Sequence, residues 1–316
     1  MTGLATLARR NSGVTIAWII ALALFALGTA LHPQFAAPAH IRTLLLTASF
    51  IGLAGVGQTF CILTGGIDLS MPSVISGSAV LAASLSGAPD ASLVGTLVLI
   101  LVIAAVIGTI NGIAIAYARV PPIIITLGMN GALLGLLLVF TDGGVAAQTP
   151  APIVSFVGGT VLGTSPALWL WLVVTVGVVL VLGWTSFGRQ LYAVGTNTTA
   201  ATLAGVDTRR VIVVCYLTSS VFAAITGWMV LGFLGQAFID MGDEYLFSSA
   251  IAVAIGGASI LGGKGNYAGT VAGALILALV GALLPMMSLG TAALRIAYGA
   301  ILLLTIVLGR FESGGR

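Results

Sequence analysis

Charge is the scarcest commodity in this sequence. Lys and Arg number 11 and Asp and Glu 8, together 6% of 316 residues. A soluble domain carries roughly a quarter of its residues as charges, which it needs to cover its surface. A soluble enzyme, a nucleic-acid binder and a disordered scaffold are therefore excluded. Cysteine and histidine are nearly as rare, at 2 residues each. Cys61 and Cys215 lie inside apolar runs, QTFCILTGG and VIVVCYLTSS, where they read as small packing residues. They supply neither a disulfide framework nor zinc spacing. His32 and His40 flank a short Pro-containing loop and read as loop residues, so no metal site is expected. No Ser/His/Asp or Cys/His grouping suggests catalysis.

What the sequence has instead is hydrophobicity, 59% of residues, with a mean hydropathy of +1.19. A helix needs ~20 apolar residues to cross the hydrocarbon core. Candidate spans run roughly over 14–31, 43–63, 71–87, 91–118, 122–140, 166–184, 211–233, 246–262, 267–287 and 291–309. An outer-membrane barrel would instead alternate polar and apolar residues over strands of ~10 positions. The expected fold is an all-α polytopic membrane protein of about ten transmembrane helices. Residues 1–316 read as a single transmembrane domain, with short loops marked by Pro, Gly and charge. An extra re-entrant piece or a split helix fits within 141–165 or near Gly65. The first run reads as a permanent helix rather than a cleaved signal, since further spans follow at once.

Charge placement tests the count. With the N-terminus in the cytoplasm, Arg9, Arg10, Arg119, Arg189, Arg209, Arg210, Lys264, Arg310 and Arg316 fall inside. Only Arg42 and Arg295 fall outside, together with the acids Asp90, Asp142, Asp240, Asp243 and Glu244. This is the positive-inside pattern, and it favours an even count with both termini cytoplasmic.

Glycine is abundant, at 43 residues. In lipid, helices associate by close van der Waals approach, which small residues at three- or four-residue spacing allow. Gly108-x3-Gly112, Gly131-x3-Gly135 and Gly269-x3-Gly273 have that spacing. Other glycines fit positions where a helix breaks to line a cavity.

Charges inside the spans are almost missing, which argues against the carboxylate chain of a proton relay. Asp68 lies in the break TGGIDLS. Two compatible readings apply: Asp68 or Ser70 caps the next helix, or the break is a gate or hinge made flexible by Gly65 and Gly66. Polar residues within the spans, Gln58, Thr59, Asn111, Thr126, Asn130, Ser248 and Ser249, are candidates for a substrate pathway. Hydroxyls and amides suit a neutral polyhydroxylated solute, although each of them also suits helix–helix hydrogen bonding.

Gly262-Gly263-Lys264-Gly265 is not a phosphate loop. The position six before Lys264 is Ala258, and Gly265 stands where a Ser or Thr would bind magnesium. The loop 185–210 is more informative. Asn197 is a good N-cap and Gly205 a good helix stop, with TTAATLA between them. Such a short helix serves either as a connector or as a docking knob for a cytoplasmic partner.

Three segments resemble the permease subunits of bacterial ATP-binding-cassette sugar importers of the ribose/xylose/galactose-type branched family. They are TGGIDLSMPSVISG at 64–77, FGRQLYAVGTNTTAATLAGVDTRRV at 187–211 and IGGASILGGKGNYAGTVAGAL at 255–275. The resemblance implies that the chain is not itself an enzyme and binds no cofactor, with ATP and magnesium on a separate ATPase. The implied partners are cytoplasmic ATPase subunits, a periplasmic solute-binding protein and a second permease, identical or paralogous. The implied location is the bacterial inner membrane, as a multi-pass protein in the lipid bilayer, with no nucleic-acid partner. It also implies that Asn197, Thr198, Ala200, Ala201, Leu203 and Gly205 form a coupling helix, and that transport proceeds by alternating access. Many ribose-type members carry Glu-Leu-Asp before the third segment. Here Leu246, Phe247 and Ser248 stand there, with Asp243 and Glu244 slightly upstream, as in a separate subgroup. The rival functions are an ATP-independent secondary transporter or facilitator and a non-transporting anchor subunit.

Overall fold

The structure is a computed structural model that describes residues 12–85, 92–144, 149–290, 292–301 and 303. Its helices are α1 (Ser12–Leu31), α2 (Pro38–Leu63), α3 (Met71–Leu85), α4 (Leu93–Ala118), α5 (Pro122–Thr141), α6 (Ala151–Gly158) and α7 (Pro166–Trp184). They continue with α8 (Ser186–Thr196), α9 (Thr198–Leu203), α10 (Thr208–Leu234), α11 (Asp243–Ile255), α12 (Tyr267–Met286) and α13 (Ala292–Ile301). A 3-10 turn, Pro33–Ala36, joins α1 to α2. Among the described residues there is no strand, only an isolated bridge between Val161 and Thr164.

Local chemistry sets the boundaries. The side chains of Ser92, Ser165, Thr185, Asn197, Asp207 and Asn266 accept backbone N–H groups in the first turns of α4, α7, α8, α9, α10 and α12. Each such cap is worth ~1 kcal/mol. Proline opens α2, α5, α6 and α7, within the first turn, where its missing N–H is not needed.

Each of the ten expected spans contains a helix, but only 7 helices are long and apolar enough to cross a membrane among the described residues. The third and eighth expected spans are the 15-residue α3 and the 13-residue α11. These rise only about 22 and 20 Å, short of a ~30 Å hydrocarbon core. The tenth is described only as the short α13. The physical reason is visible at α3. After Leu63 the chain turns back and descends beside the last turns of α2, so that the Asp68 N–H reaches Gln58 Oε1 at 3.2 Å. Helix α3 therefore starts from a buried break. The stretch 141–165 holds the additional helix α6, whose buried Ile153 and Val157 pack on Gly232 of α10.

Burial runs opposite to hydropathy. The three least apolar spans, α2, α10 and α12, are the three most buried, whereas α1, α4, α5 and α7 are mostly exposed. That is the order expected of helices whose outer solvent is hydrocarbon. The ends also segregate by charge. Gly13 abuts Gly257, and the Arg209 guanidinium lies 4.9 Å from the Tyr117 ring centre. Arg119, Arg189, Arg210 and Lys264 belong to this same end. Arg42 lies at the other, donating to Gly158 O at 2.7 Å and Gly159 O at 2.6 Å, and Arg295 acts on Asp243 there. Both termini, and with them Arg9, Arg10, Arg310 and Arg316, lie outside the described residues, as does Asp90.

Two of the three glycine pairs do the packing expected of them. A Cβ on Gly112 would stand 2.6 Å from Val213 Cα of α10, and one on Gly108 would overlap Tyr216 O. One on Gly269 or Gly273 would overlap Gly256 O or Ala252 O of α11. Gly131 and Gly135 have nothing within 4 Å, because α5 lies at the periphery of the chain. Gly273→Ala is expected to destabilise the detergent-purified protein by about 1–3 kcal/mol through overpacking. Gly131→Ala is expected to leave it unchanged. Thermal unfolding monitored by tryptophan fluorescence checks both.

Candidate functional site

The loop 185–210 folds as two helices. Thr185 caps α8, whose Leu191 and Val194 are buried and whose Phe187 ring lies 6.1 Å from that of Phe60 on α2. Sequence reasoning missed α8 as a helix, although Phe187, Leu191 and Val194 repeat at helical spacing behind a capping threonine. Asn197 then caps α9, its Oδ1 accepting the Ala200 N–H at 2.9 Å. The helix closes with the Gly205 N–H on Thr202 O and the Val206 N–H on Ala201 O, both 3.0 Å, with Gly205 at φ +82°. This is a Schellman turn, in which the left-handed residue is normally glycine. The expected seven-residue stretch is a helix of 6 residues. Ala201 is buried; Asn197, Thr198, Ala200, Leu203 and Gly205 are exposed, Leu203 at 86%. The knob is capped at both ends and anchored through the buried Ala201.

The end of α8, from which α9 continues, meets the breaks after α2 and α11. The Gly263 N–H donates to Leu63 O at 2.9 Å. A Cβ on Gly195, at the end of α8, would overlap Leu63 O and stand 2.6 Å from Gly263 N. A Cβ on Gly262 would lie 2.9 Å from both Gly195 O and Gly65 N. Tyr192 Oη donates to Gly265 O at 2.7 Å, and burial pushes the Tyr192 pKa up, which keeps it a neutral donor. Three backbones thus touch here: the end of α8, the break after α2 and the break after α11. Both breaks begin with the same turn as α9. Gly65 (φ +85°) follows α2, with the Gly65 N–H on Ile62 O and the Gly66 N–H on Cys61 O. Gly257 (φ +87°) follows α11, with its N–H on Ala254 O and that of Ala258 on Val253 O.

Below the first break lies a buried polar cluster. Asp68 Oδ1 accepts the Ser70 N–H at 2.9 Å and also the Ser70 hydroxyl. Asn111 Nδ2 of α4 donates to Ser70 Oγ at 3.0 Å. Ser70 stands immediately before α3, and its carbonyl accepts the Val74 N–H at 3.2 Å. Asp68 therefore orders the entry to α3 through Ser70, rather than by bonding the helix's own first N–H groups. Gly66 packs so that a Cβ would meet the Tyr216 hydroxyl of α10. Gly65 is exposed, while Gly66, Asp68 and Ser70 are buried.

The candidate pathway residues do not form one group. Gln58 and Asn111 join the Asp68 cluster, and the Thr126 hydroxyl reaches Ile67 O at 3.4 Å. Thr59 instead pairs with Thr270 at 2.9 Å, and Asn130 accepts the Ser73 hydroxyl at 2.7 Å. Ser248 and Ser249 bond carbonyls of their own helix, Glu244 O and Leu246 O. A cleft of about 290 Å³ between α3, α4 and α5 is lined by apolar groups such as Ile103, Leu133, Leu137 and Phe140, and by none of these seven residues. Tyr216, Ser219 and Ser220 of α10 were missed. Their positions, three and four residues apart in an otherwise apolar run, place them on one helix face. At the opposite end of the molecule, burial and Asp240 push the Asp243 carboxyl up, while Arg295 opposes the shift.

Comparison with known proteins fits this architecture. Residues 40–307 match the family described as branched-chain amino acid transport system / permease component. Ribose import permease protein RbsC of Bacillus subtilis is 33% identical over 296 residues, covering 90% of this chain and 88% of that protein. RbsC of Haemophilus influenzae is 29% identical, covering 93% and 92%. Fructose import permease protein FrcC of Rhizobium meliloti is 32% identical, covering 82% and 74%. No solved structure matches. Multi-pass helices of this order and length, and a match extending over most of the chain, assign it: the protein is a membrane permease of the branched-chain amino acid transport system / permease component family.

Proposed function

We propose that this chain is the permease subunit of an ATP-binding-cassette importer, carrying a monosaccharide or related polyol across the bacterial inner membrane. The observation that carries the reading is the exposed, doubly capped α9, carried on the end of α8 that touches the breaks after α2 and α11. A cytoplasmic ATPase holds ATP and magnesium and grips α9 through Leu203 and its exposed neighbours. Its closure moves α8, and the junction at Gly195 passes that movement to the breaks after α2 and α11. The permease then alternates between outward- and inward-facing packings. The cargo class rests on the relatives that are ribose and fructose import permeases. A periplasmic solute-binding protein delivers the cargo. A second permease copy or a paralogue completes the pathway. The whole chain works as one permease domain, and the gate is the Gly65–Ser70 break.

Co-reconstituted with its ATPase, the permease is expected to support ATP hydrolysis stimulated by binding protein loaded with its sugar. Uptake that proceeds without the ATPase would identify a facilitator instead. Gly205→Val forces a branched side chain into the left-handed region at about 1–2 kcal/mol. It should lower ATPase docking by roughly 5–30-fold, read by co-purification. Gly195→Ala should retain docking but lose sugar-stimulated hydrolysis. Full stimulation in Gly195→Ala would show that the junction does not carry the coupling.

A further inference from the structure

The Asp68 cluster holds more polar atoms than the protein satisfies. Gln58, Asp68, Asn111, Tyr216, Ser219 and Ser220 are each at most 1% exposed. Asp68 Oδ2, Asn111 Oδ1, Tyr216 Oη, Ser219 Oγ, Ser220 Oγ and Gln58 Nε2 find no hydrogen-bond partner within the protein. Unpaired buried polar atoms are costly, and native structures contain few of them. Asn111, through Ser70, and Ser219 flank the Asp68 carboxylate. Ser219 Oγ neighbours Asp68 and Cys61, and Tyr216 lies within electrostatic reach of both. Ser219 packs on Gly57 beside Gln58, and Ser220 packs on Gly108, one turn from Asn111. Four segments, α2, the break, α4 and α10, each contribute an atom.

The chemistry of the unpaired atoms narrows what can join them. Among the described residues no Lys, Arg or His acts on Asp68. An isolated carboxylate inside a membrane protein requires neutralisation. Five of the six unpaired atoms are oxygens. A proton on Oδ2 would neutralise the charge but would not link the other oxygens. A water would link some of them and neutralise nothing. A hard monovalent cation does both: it prefers carboxylate, amide and hydroxyl oxygen, and its charge matches a single carboxylate. Interrupted transmembrane helices are where membrane proteins commonly build such sites.

We propose that this cluster binds a sodium ion through Asp68 Oδ2, Asn111 Oδ1 and the hydroxyls of Tyr216, Ser219 and Ser220. The ion ties the break before α3 to α4 and α10, so that the segment bearing Gly65 and Gly66 is pinned on its membrane side.

The test uses the full chain, purified in detergent, with radioactive sodium as the probe and choline chloride replacing sodium chloride at constant ionic strength. The expected result is saturable binding of a single ion per chain, with a rise in Tm that follows the same curve. Asp68→Asn should abolish the binding, and Ser220→Ala should weaken it about 10–100-fold, as loss of a supporting group does at other ion sites. Should Asp68→Asn fail to fold, wild type and Ser220→Ala decide the matter. Absence of saturable binding in wild type overturns the proposal. So does unchanged affinity in Ser220→Ala together with binding that persists in Asp68→Asn. A Tm that responds to pH and not to sodium also overturns it, and shows that a proton neutralises Asp68.

Discussion

Every backbone N–H and C=O within hydrocarbon must be satisfied by the protein itself, and this constraint governs the two broken helices on which the architecture turns. Helices α2, α9 and α11 all end in the same way, with a glycine in the left-handed region and paired 6→1 and 5→2 hydrogen bonds. The turn consumes the carbonyls that a broken helix would otherwise leave bare. It also reverses the chain in a few residues, which lets the break after α2 descend beside its own helix. Because the reversal is so tight, glycine backbones from different segments come into contact, and Gly195, Gly65, Gly262 and Gly263 share one small volume. The conformational requirement of the turns and the steric requirement of the junction call for the same residue type.

The rest of the bundle follows lipid logic. Helix α10 packs against α2, α3, α4 and α6, and its contacts with α4 and α3 are made through small residues: Gly108, Gly112 and its own Gly227, which abuts Ile75. Polar side chains close to the centre, such as Thr59 with Thr270 and Tyr267 with Gly52 O, stitch α2 to α12. The exposed faces of α4, α5 and α7 carry Val, Leu and Ile, which gain nothing from burial when the surroundings are themselves apolar.

Much of this was legible in the sequence, and the failures have physical causes. Capping signals at Asn197 and Gly205 located the ends of α9 to within a residue, because they act locally. The Gly108 and Gly269 pairs were correctly read as packing sites, but the Gly131 pair reads identically and touches nothing in this chain. Spacing encodes a capacity for close approach; the partner is set by tertiary arrangement. Hydropathy located ten apolar runs, two of which, 71–87 and 246–262, hold the shorter helices α3 and α11, since a half-helix entering from a buried break is as apolar as a full span. Polar residues within the spans were assigned together, but only Gln58, Asn111 and Thr126 converge on Asp68. Which polar faces meet depends on helix rotation, which one sequence does not reveal. Ser219 and Ser220 escaped notice because two serines in an apolar run suggest ordinary back-bonding to their own helix.

The inverse relation between hydropathy and burial also bears on how the protein is made. Insertion of a helix depends on its own apolarity, with each polar residue near its centre opposing entry. Helix α4 enters the bilayer unaided, and α2 does not do so as readily, since it carries Gln58 and many small residues that favour a helix neighbour over lipid. The natural companions of α2 are α10 and α12, and both emerge from the ribosome more than a hundred residues after it. During that interval, of its eventual helix neighbours only α7 and α8 have been made, and the rest of its buried face has lipid for company. Biogenesis is therefore most vulnerable while α2 waits, and substitutions on that waiting face lower the yield of inserted protein before they affect any finished transporter.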